Sequence, residues 1–562
     1  MTLTTPEPTP KSAESAARSA SSGTPVRGFV PFPPDRVRAY RAAGLWTGNR
    51  LDSVLSRAAS AWPGRTAVLD SRSAHTFAEL DHLADRASAG FAALGIVAGD
   101  RVLLQLPNST GFAIALFGLL RAGAIPVLCL PGHRLAEMTH FAGLSGAVAV
   151  VVADGAGGFD YRAMATQLVA DHVGVRHVVA DGGPDAERPP FTRFADLLTA
   201  PGQPPRHDAD TTSPALLLVS GGTTGAPKLI PRTHEDYWYN FTASADLCGM
   251  TADDVYLVAL PAAHNFPLAC PGLLGAIGVG ATTVFTTDPS PEAAFSTIAR
   301  HGVTMTALVP ALAKLWAQAC EWEAQAPKSL RLLQVGGAKL GAADARAVRT
   351  ALTPGLQQVF GMAEGLLNYT RLGDPEDLVD RTQGRPLSEA DELRVVDEAG
   401  DDVPAGDEGE LLVRGPYTFN GYYRADRDNE RSFSPAGFFS TGDRVRRFAN
   451  GYLEVTGRVK DVIHRGGETV SALDLEAHLL THPSIWSAAA VPLPDDYLGE
   501  KICAAVVFTD QPVTLAELNA YLDERGVAAH SRPDALVAMP SLPTTAVGKI
   551  DKKAIVAHLA GD

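Results

Sequence analysis

A glycine-rich loop with the sequence Ser-Gly-Gly-Thr-Thr-Gly-Ala-Pro-Lys occupies residues 220–228 and directly follows an apolar strand. Glycines let backbone N–H groups turn toward an anion, while threonine hydroxyls and a lysine add donors and positive charge. The loop therefore predicts a polyphosphate site with these candidate ligands: Ser220, Gly221, Gly222, Thr223, Thr224, Gly225 and Lys228. It lacks the Walker sequence GxxxxGK[ST], and on composition alone a flexible surface loop is the alternative.

Four further motifs follow the loop in order: Phe360-Gly-Met-Ala-Glu364, Ser440-Thr-Gly-Asp443, Gly457-Arg-Val-Lys-Asp461 and Pro543-Thr-Thr-Ala-Val-Gly-Lys549. With the loop they resemble the adenine and magnesium, ribose, hinge and catalytic-lysine motifs of the adenylate-forming superfamily. That superfamily comprises acyl- and aryl-CoA ligases, luciferases and the adenylation domains of peptide synthetases. The resemblance runs from about residue 28 to the C-terminus, and it implies a ligase that activates a carboxylate with ATP and Mg²⁺.

The resemblance assigns a role to the charged residue of each motif. Lys549 would contact the substrate carboxylate and the α-phosphate, because attack of one anion on another demands neutralisation of charge. Glu364 would bind Mg²⁺, and Asp443 would accept hydrogen bonds from both ribose hydroxyls. Without the resemblance, Lys549 would be a solvated lysine and Glu364 a charge at a helix N-terminus.

The same resemblance predicts further nucleotide contacts and a second half-reaction. Phe360 is expected to stack on adenine, although alone it could be a core aromatic, and the backbone near Val359 to bind the adenine amino group. Lys460 would be the hinge between domains, and Gly467 would belong to a turn that admits a pantetheine thiol. The other expected nucleotide-site residues are Arg458, near the ribose and phosphates, and Gly337, Ala338 and Gly361.

The segment His264-Asn-Phe-Pro-Leu-Ala-Cys-Pro-Gly272 resembles the aryl-acid adenylating enzymes of siderophore pathways. In that family the asparagine position donates to the 2-hydroxyl of a benzoate, which makes Asn265 the candidate here. Phe266 would cover the ring face, Gly336 would line the same pocket, and His264 would lie as a gate near the carboxylate. Outside this context a lone histidine is usually a satisfied polar group.

Two positions are expected to choose between salicylate and 2,3-dihydroxybenzoate. Family members that use the dihydroxy acid have Ser where Cys270 stands and Val where Leu367 stands. Cysteine is the weaker partner for a 3-hydroxyl, and an unpaired buried hydroxyl costs about 1–3 kcal/mol. The pair therefore favours salicylate, whereas without the resemblance Cys270 would be an ordinary buried thiol.

Other segments extend the resemblance to the salicylate-activating members that serve mycobactin-type siderophore synthesis: Gly28–Pro33, Leu128–His133, Leu333–Lys339 and Gly499–Val506. This implies transfer of the salicyl group to the phosphopantetheine thiol of an aryl carrier domain of a peptide synthetase. The alternatives are a 2,3-dihydroxybenzoate-AMP ligase, an aryl-CoA ligase, and a non-catalytic regulator that binds ATP or an aryl acid.

The elements that must position these residues alternate between helix and strand. Short apolar strands separated by helices predict α/β layers with largely parallel, buried sheets. Between about residues 385 and 457 the apolar runs shorten and Gly and Pro become frequent, which predicts antiparallel structure. The resemblance to the adenylate-forming superfamily implies that the N-terminal region also contains a distorted β-barrel. We therefore expect a disordered tail (1–27), a large N-terminal adenylation domain (28–459) and a small, mobile α+β C-terminal domain (460–562).

Composition excludes several other classes. The chain of 562 residues has 48 Lys+Arg against 63 Asp+Glu, a net charge of −15, and without a dense basic run no nucleic-acid partner is expected. Five scattered cysteines without a CxxC pair predict reduced thiols. Arg121 and Pro126 interrupt the most apolar stretch, so we expect no membrane span and, without an apolar signal segment, a cytoplasmic location.

Overall fold

A computed structural model describes most of the chain. The described residues are 26–182, 191–205, 207–220, 227–323, 326–459, 461–465, 468–495, 497–509, 511–545 and 548–560. Within them, no helix is both long enough and apolar enough to span a bilayer.

The described strands, in chain order, form four sheets. They are β1 (Thr66–Leu69), β2 (Ala74–Thr76), β3 (Arg101–Gln105), β4 (Ile125–Leu128), β5 (Ala149–Ala153), β6 (His177–Asp181), β7 (Phe191–Arg193), β8 (Pro214–Val219), β9 (Leu229–Thr233), β10 (Val255–Val258), β11 (Thr282–Phe285), β12 (Met305–Leu308), β13 (Leu332–Gly336), β14 (Leu356–Gly361), β15 (Leu367–Tyr369), β16 (Arg385–Pro386), β17 (Glu392–Val396), β18 (Glu408–Arg414), β19 (Phe439–Arg447), β20 (Leu453–Arg458), β21 (Val462–Arg465), β22 (Glu468–Ser471), β23 (Ile485–Asp495), β24 (Gly499–Phe508) and β25 (Ala535–Ala538).

Helices alternate with these strands over most of the chain. The α-helices are α1 (Pro34–Ala42), α2 (Ser53–Ala61), α3 (Phe77–Ala93), α4 (Thr110–Arg121), α5 (Leu135–Ser145), α6 (Tyr161–Asp171), α7 (Phe194–Leu197), α8 (His234–Leu247), α9 (Asn265–Ala269), α10 (Gly272–Val279), α11 (Pro291–His301), α12 (Pro310–Ala319), α13 (Ala342–Ala351), α14 (Glu376–Arg381), α15 (Asp426–Ser432), α16 (Ala472–Leu479), α17 (Leu515–Glu524) and α18 (Lys552–Ala560), with a short 3₁₀ turn at Ala529–Ser531.

Two large sheets form the N-terminal region, and both are mostly parallel, as the sequence predicts. One has the order β7-β6-β5-β3-β4-β8-β9, in which only β9 runs antiparallel to its neighbour. The other has the order β16-β15-β14-β13-β12-β10-β11-β1-β2 and is parallel from β14 to β1. Continuous apolar runs form its central strands because helices cover both faces of such sheets.

The start of α3 shows how local sequence fixes an element. Thr76 Oγ1 accepts the N–H of Glu79 at 3.2 Å, and the Glu79 carboxylate accepts the N–H of Thr76 at 2.8 Å. This capping box satisfies two N–H groups that the first helical turn leaves free. Leu80, Ala84 and Ala87 then follow at helical spacing and are fully buried, so they form the face of α3 that packs on the core.

The expected distorted barrel is wrong. Strands β17–β20 form a four-stranded antiparallel sheet, and within the part of the chain that the structure describes its two edge strands, β17 and β20, do not pair. Buried and outward-facing residues alternate along β18, a pattern that occurs in open antiparallel sheets and in barrels alike, so it does not determine whether the edges meet. The antiparallel prediction itself is confirmed.

The C-terminal region builds a separate sheet from β21 to β25. Its strands and helices enclose their own apolar clusters, which include Ile463, Leu479, Ile502, Leu518 and Ile555. A core of its own is what a small α+β domain requires.

A buried ion pair connects the N-terminal elements. Arg232 and Asp236 are both fully buried, and Nε of Arg232 donates to Oδ1 of Asp236 at 2.8 Å. The guanidinium also donates to the carbonyl oxygens of Ala363 at 2.9 Å and Tyr417 at 3.0 Å, and it lies 4.7 Å from the centre of the Tyr237 ring. Three segments of the chain, at residues 232–237, Ala363 and Tyr417, thus meet at one side chain.

We expect Arg232→Met to lower the free energy of unfolding by about 3–5 kcal/mol, because it leaves the Asp236 carboxylate buried without its partner. Urea titration followed by circular dichroism measures this. Arg381→Met is the matched control, since Arg381 and its partner Asp377 are 67% and 74% exposed, and it should cost less than about 1 kcal/mol. Equal losses for the two variants would contradict the assigned importance of the buried pair.

Candidate functional site

The base of the glycine-rich loop is a closed hairpin end between β8 and β9. The N–H of Ser220 donates to the carbonyl of Lys228 at 2.9 Å, and the N–H of Lys228 donates to Oγ of Ser220 at 2.8 Å. These bonds hold both ends of the loop at the edge of the sheet. Residues 221–226 lie outside the described residues, so the roles of Gly221, Gly222, Thr223, Thr224 and Gly225 stay predictions.

The ammonium of Lys228 contacts two residues that sequence reasoning missed. Its Nζ lies 3.1 Å from Oδ1 of Asp428 and 4.5 Å from the centre of the Tyr422 ring. The Tyr422 hydroxyl in turn donates to Oε1 of Glu364 at 2.9 Å. Tyr422 therefore connects the predicted phosphate lysine to the predicted magnesium ligand, and no motif in the sequence marked it.

Glu364 has the chemistry of a cation ligand. Burial raises the pKa of its carboxyl, an effect that the Tyr422 hydrogen bond and the charge of Arg458 oppose. Its Oε1 accepts the Tyr422 hydroxyl, and carboxylate oxygens are the hard donors that Mg²⁺ prefers. No group of three or more His, Cys, Asp or Glu side chains in the described ranges could hold a metal. The other ligands of a Mg²⁺ ion here would therefore be phosphate oxygens and water molecules, as is common for this ion.

Asp443 and Arg458 lie opposite each other on β19 and β20. Nε of Arg458 donates to Oδ1 of Asp443 at 2.8 Å. Burial raises the pKa of Asp443, and the Arg458 guanidinium opposes that shift. Because only one carboxylate oxygen is engaged within the described part of the chain, the other can accept a hydrogen bond from a ligand hydroxyl.

Lys549 comes from the C-terminal region to the same place. A turn fixes its backbone, since the N–H of Thr545 donates to the Lys549 carbonyl at 2.7 Å. Burial lowers the pKa of its ammonium and Arg458 lowers it further, while Asp443 and Glu364 oppose the shift. We call Glu364, Asp443, Arg458 and Lys549 the charged cluster.

Gly337 allows this approach of the lysine. Its φ of +87° lies in the left-handed region, and a Cβ added there would lie 3.3 Å from Cε of Lys549. Any side chain at this position would therefore strain the backbone and press on the lysine. Ala338, the next residue, is exposed.

His264 lies beside the charged cluster as a neutral imidazole. Its Nδ1 accepts the N–H of Phe266 at 3.2 Å at the start of α9, so the ring proton belongs on Nε2. Burial lowers the pKa of His264 to about 3, and the charge of Lys549 contributes to the shift. The imidazole can therefore donate a hydrogen bond at neutral pH without adding charge.

Asn265 and Cys270 form the polar wall of the predicted aryl pocket. Oδ1 of Asn265 accepts the Tyr237 hydroxyl at 2.9 Å, and Nδ2 donates to Sγ of Cys270 at 3.4 Å. The Cys270 thiol donates to the Asn265 carbonyl at 3.4 Å, and burial raises its pKa to about 12. Sequence reasoning missed Tyr237, whose aromatic ring in α8 has the pattern of a core residue.

Phe266, which follows Asn265 in α9, lies against bare backbone. A Cβ at Gly336 would lie 3.1 Å from the Phe266 ring and 2.7 Å from the Val359 carbonyl oxygen. Glycine therefore lets the Phe266 ring lie directly against the end of β13. Phe360 follows Val359 on β14, and its carbonyl accepts Nδ2 of Asn368 at 3.2 Å.

Leu367 lies on β15, one strand away. It is paired with Gly361, where a Cβ would lie 2.5 Å from the Leu367 side chain. The N–H of Leu367 donates to the Tyr417 hydroxyl at 3.2 Å, and that hydroxyl donates to Oδ2 of Asp391 at 2.6 Å. Tyr417 and Asp391, neither of which the sequence marked, thus fix the backbone of Leu367.

The structure brings most of the described predicted residues to one region, at the ends of β13, β14 and β20, in the middle of β19 and beside α9. The predicted hinge Lys460 and the turn residue Gly467 lie outside the described residues. Their neighbour Asp461 is described, and it adds negative charge near Arg458.

Comparison with known proteins agrees with this arrangement. A model of AMP-binding enzymes matches residues 55–423, and a model of the AMP-binding enzyme C-terminal domain matches residues 474–549. The chain is 67% identical to a salicyl-AMP ligase / salicyl-S-ArCP synthetase of Mycobacterium tuberculosis, over 98% of this chain and 97% of that protein. It is 45% identical to a 2,3-dihydroxybenzoate-AMP ligase of Bacillus subtilis, over 94% of this chain and 97% of that protein.

A solved structure covers nearly the same length. The apo structure of MbtA from Mycobacterium smegmatis matches 94% of this chain and 98% of its own, with 70% sequence identity and a TM-score of 0.75. The two family models, the relatives and the solved structure all indicate the same family. The relatives and the solved structure match almost the whole sequence. The chain therefore belongs to the AMP-binding enzyme family, whose adenylate-forming motifs its own motifs resemble.

Proposed function

We propose that this protein activates salicylate with ATP and then transfers the salicyl group to the phosphopantetheine thiol of an aryl carrier domain, in mycobactin-type siderophore synthesis. The observation that carries the proposal is the position of Lys549. Its ammonium lies in electrostatic reach of Glu364, Asp443 and Arg458 on one side and of His264 on the other. The Lys549 ammonium thus lies between the proposed nucleotide site and the start of α9, where Asn265 and Phe266 lie. The likeness to the Mycobacterium tuberculosis relative supports salicylate as the acid.

In the first step a carboxylate oxygen attacks the α-phosphorus of ATP. A new P–O bond forms, the bond from the α-phosphorus to the bridging oxygen breaks, and pyrophosphate leaves with that electron pair. Both reactants are anions, so a positive group between them lowers the barrier most directly. Lys549 supplies that charge. His264 is neutral, so it can donate a hydrogen bond to the carboxylate without adding a further positive charge.

The nucleotide is held by residues of three motifs. Asp443 accepts from the ribose, Lys228 binds the polyphosphate, and Phe360 stacks on the adenine. Glu364 is the protein ligand that fits Mg²⁺, because its carboxylate offers hard oxygen donors and burial of the carboxylate favours a nearby cation. When bound, the ion would neutralise charge on the phosphate oxygens.

In the second step the pantetheine thiol replaces AMP. The sulfur attacks the acyl carbon, a C–S bond forms, the C–O bond to the phosphate breaks, and AMP leaves with that electron pair while the thiol proton passes to solvent. We propose domains at 28–459 and 460–562 that rotate about Lys460 between the steps. The rotation would withdraw Lys549 and bring Gly467 to the acyl adenylate, because both residues belong to the C-terminal domain but serve different steps. The separate apolar clusters of that domain support movement as a unit.

The preference for salicylate follows from how the Cys270 hydrogen is used. The thiol donates to the Asn265 carbonyl and its sulfur accepts from Asn265 Nδ2. It therefore offers no donor to a 3-hydroxyl, and sulfur is a weak acceptor. A second ring hydroxyl would be buried without a good partner.

Salicylate-dependent ATP–pyrophosphate exchange tests the function. Exchange with salicylate should exceed exchange with 2,3-dihydroxybenzoate and benzoate, and a fatty acid should support none. Salicylate should then appear as a thioester on a holo aryl carrier domain faster than on free CoA. If no acid supports exchange in a folded protein that binds ATP, the proposed activity is wrong, and if only CoA is acylated, the carrier assignment is wrong.

Cys270→Ser combined with Leu367→Val should raise the kcat/KM for 2,3-dihydroxybenzoate relative to salicylate by about 5- to 150-fold, because the serine can pair a 3-hydroxyl. Steady-state exchange kinetics with both acids measure the ratio. Cys503→Ser, at a buried cysteine of the C-terminal sheet, is the matched control. An unchanged ratio in the double variant would refute this account of selectivity.

Lys549→Ala should lower the rate of salicyl-AMP formation by about 10²- to 10³-fold, since it removes the charge between the two anions. Transfer from supplied salicyl-AMP to the holo carrier domain should stay close to the rate of the unchanged protein. Single-turnover measurements of the two steps separate these effects, with Lys328→Ala at an exposed lysine as the control. Equal losses in both steps would contradict the assignment of Lys549 to the first step alone.

A further inference from the structure

The side-chain amide of Asn265 is held in one orientation by groups behind it. Asn265 is 5% exposed, and its Oδ1 accepts the hydroxyl of Tyr237 at 2.9 Å. Its Nδ2 donates one hydrogen to Sγ of Cys270. The second hydrogen of Nδ2 has no partner among the described residues, so the amide can present an N–H donor to a ligand.

Tyr237 is the group that determines this orientation. It is fully buried, and burial raises its pKa well above the usual value, so the phenol keeps its hydrogen. Among the residues that the structure describes, Oδ1 of Asn265 is the acceptor of that hydrogen. If the Asn265 amide flipped, the Tyr237 phenol hydrogen would lose its acceptor in the protein interior, which is unfavourable.

Cys270, in contrast, tolerates either orientation. Its sulfur accepts from Nδ2 and its thiol hydrogen goes to the backbone carbonyl of Asn265. After a flip of the Asn265 amide, which exchanges the positions of Oδ1 and Nδ2, the same thiol could donate to Oδ1 instead. The specificity of the amide orientation therefore depends on the Tyr237 hydroxyl.

A fixed N–H donor selects the group at position 2 of the ring. The phenol oxygen of salicylate accepts a hydrogen bond while its own hydrogen is shared with the neighbouring carboxylate. The nitrogen of a 2-amino group is a poor acceptor because its lone pair is delocalised into the ring, and its N–H bonds would oppose the N–H of Asn265. A site built for one hydrogen-bond pattern strongly rejects the analogue that cannot make it.

We propose that Tyr237 is a positioning residue that sets the pocket to accept a hydrogen-bond acceptor at ring position 2, and so excludes 2-aminobenzoates. The inference rests on the proposed function, in which Asn265 faces that ring position. Tyr237 touches neither substrate nor nucleotide in this account and acts only through the Asn265 amide.

Tyr237→Phe tests the proposal through substrate discrimination. The ratio of kcat/KM for salicylate to that for 2-aminobenzoate, measured by pyrophosphate exchange, should fall about tenfold, because the amide can then turn over. The KM for ATP should stay within twofold. Tyr256→Phe is the matched control, since Tyr256 is also fully buried, lies on β10 and has a hydroxyl with no described partner, and it should leave the ratio unchanged.

A second variant separates failure of this inference from failure of the proposed function. Asn265→Ala should itself remove most discrimination between the two acids, and Tyr237→Phe should have no further effect on the ratio in that background. If Asn265→Ala lowers the ratio but Tyr237→Phe does not, the role of Tyr237 is refuted while the function stands. If neither change affects the ratio although salicylate is adenylated, Asn265 does not face ring position 2, and the inference fails with that assignment.

Discussion

The buried ion pair of Arg232 and Asp236 is the interaction on which the rest of the site depends. Two charges without water are stable only when every donor and acceptor has a partner, and here the extra donors go to the carbonyls of Ala363 and Tyr417. Ala363 precedes the candidate magnesium ligand, and Tyr417 holds the backbone of Leu367. One guanidinium therefore connects the backbone beside the candidate nucleotide ligand Glu364 to the backbone that holds Leu367 of the candidate aryl pocket.

The charged cluster shows how a protein with a net charge of −15 can bring two anions together. Arg458 and Lys549 place two positive groups among Glu364 and Asp443, so the local field differs from that of the whole chain. The neutral His264 adds a donor but no charge. Net charge consequently says little about what an interior site can bind.

Local patterns were enough to predict much of the fold, whereas long-range partners were not. The alternation of short apolar strands with helices and the antiparallel segment both depend on residues close together in the sequence, and both predictions are confirmed. The barrel was wrong because alternation around Leu411 specifies an antiparallel strand but not which edges meet. Motif residues could be placed in one region, but Tyr237 belongs to a helix whose buried face has the pattern of an ordinary core, so its contact with Asn265 was invisible in the sequence.

The contact between Lys228 and Asp428 has a consequence for how nucleotide is bound. A triphosphate that approaches this lysine competes with a carboxylate 3.1 Å away, so binding exchanges one counterion for another instead of creating a new ion pair. The net gain at Lys228 would therefore be smaller than the charge of a triphosphate suggests. Under the proposed function, the same carboxylate competes for Lys228 with the phosphates of ATP and with those of pyrophosphate, so this ion pair moderates the affinity for substrate and product alike.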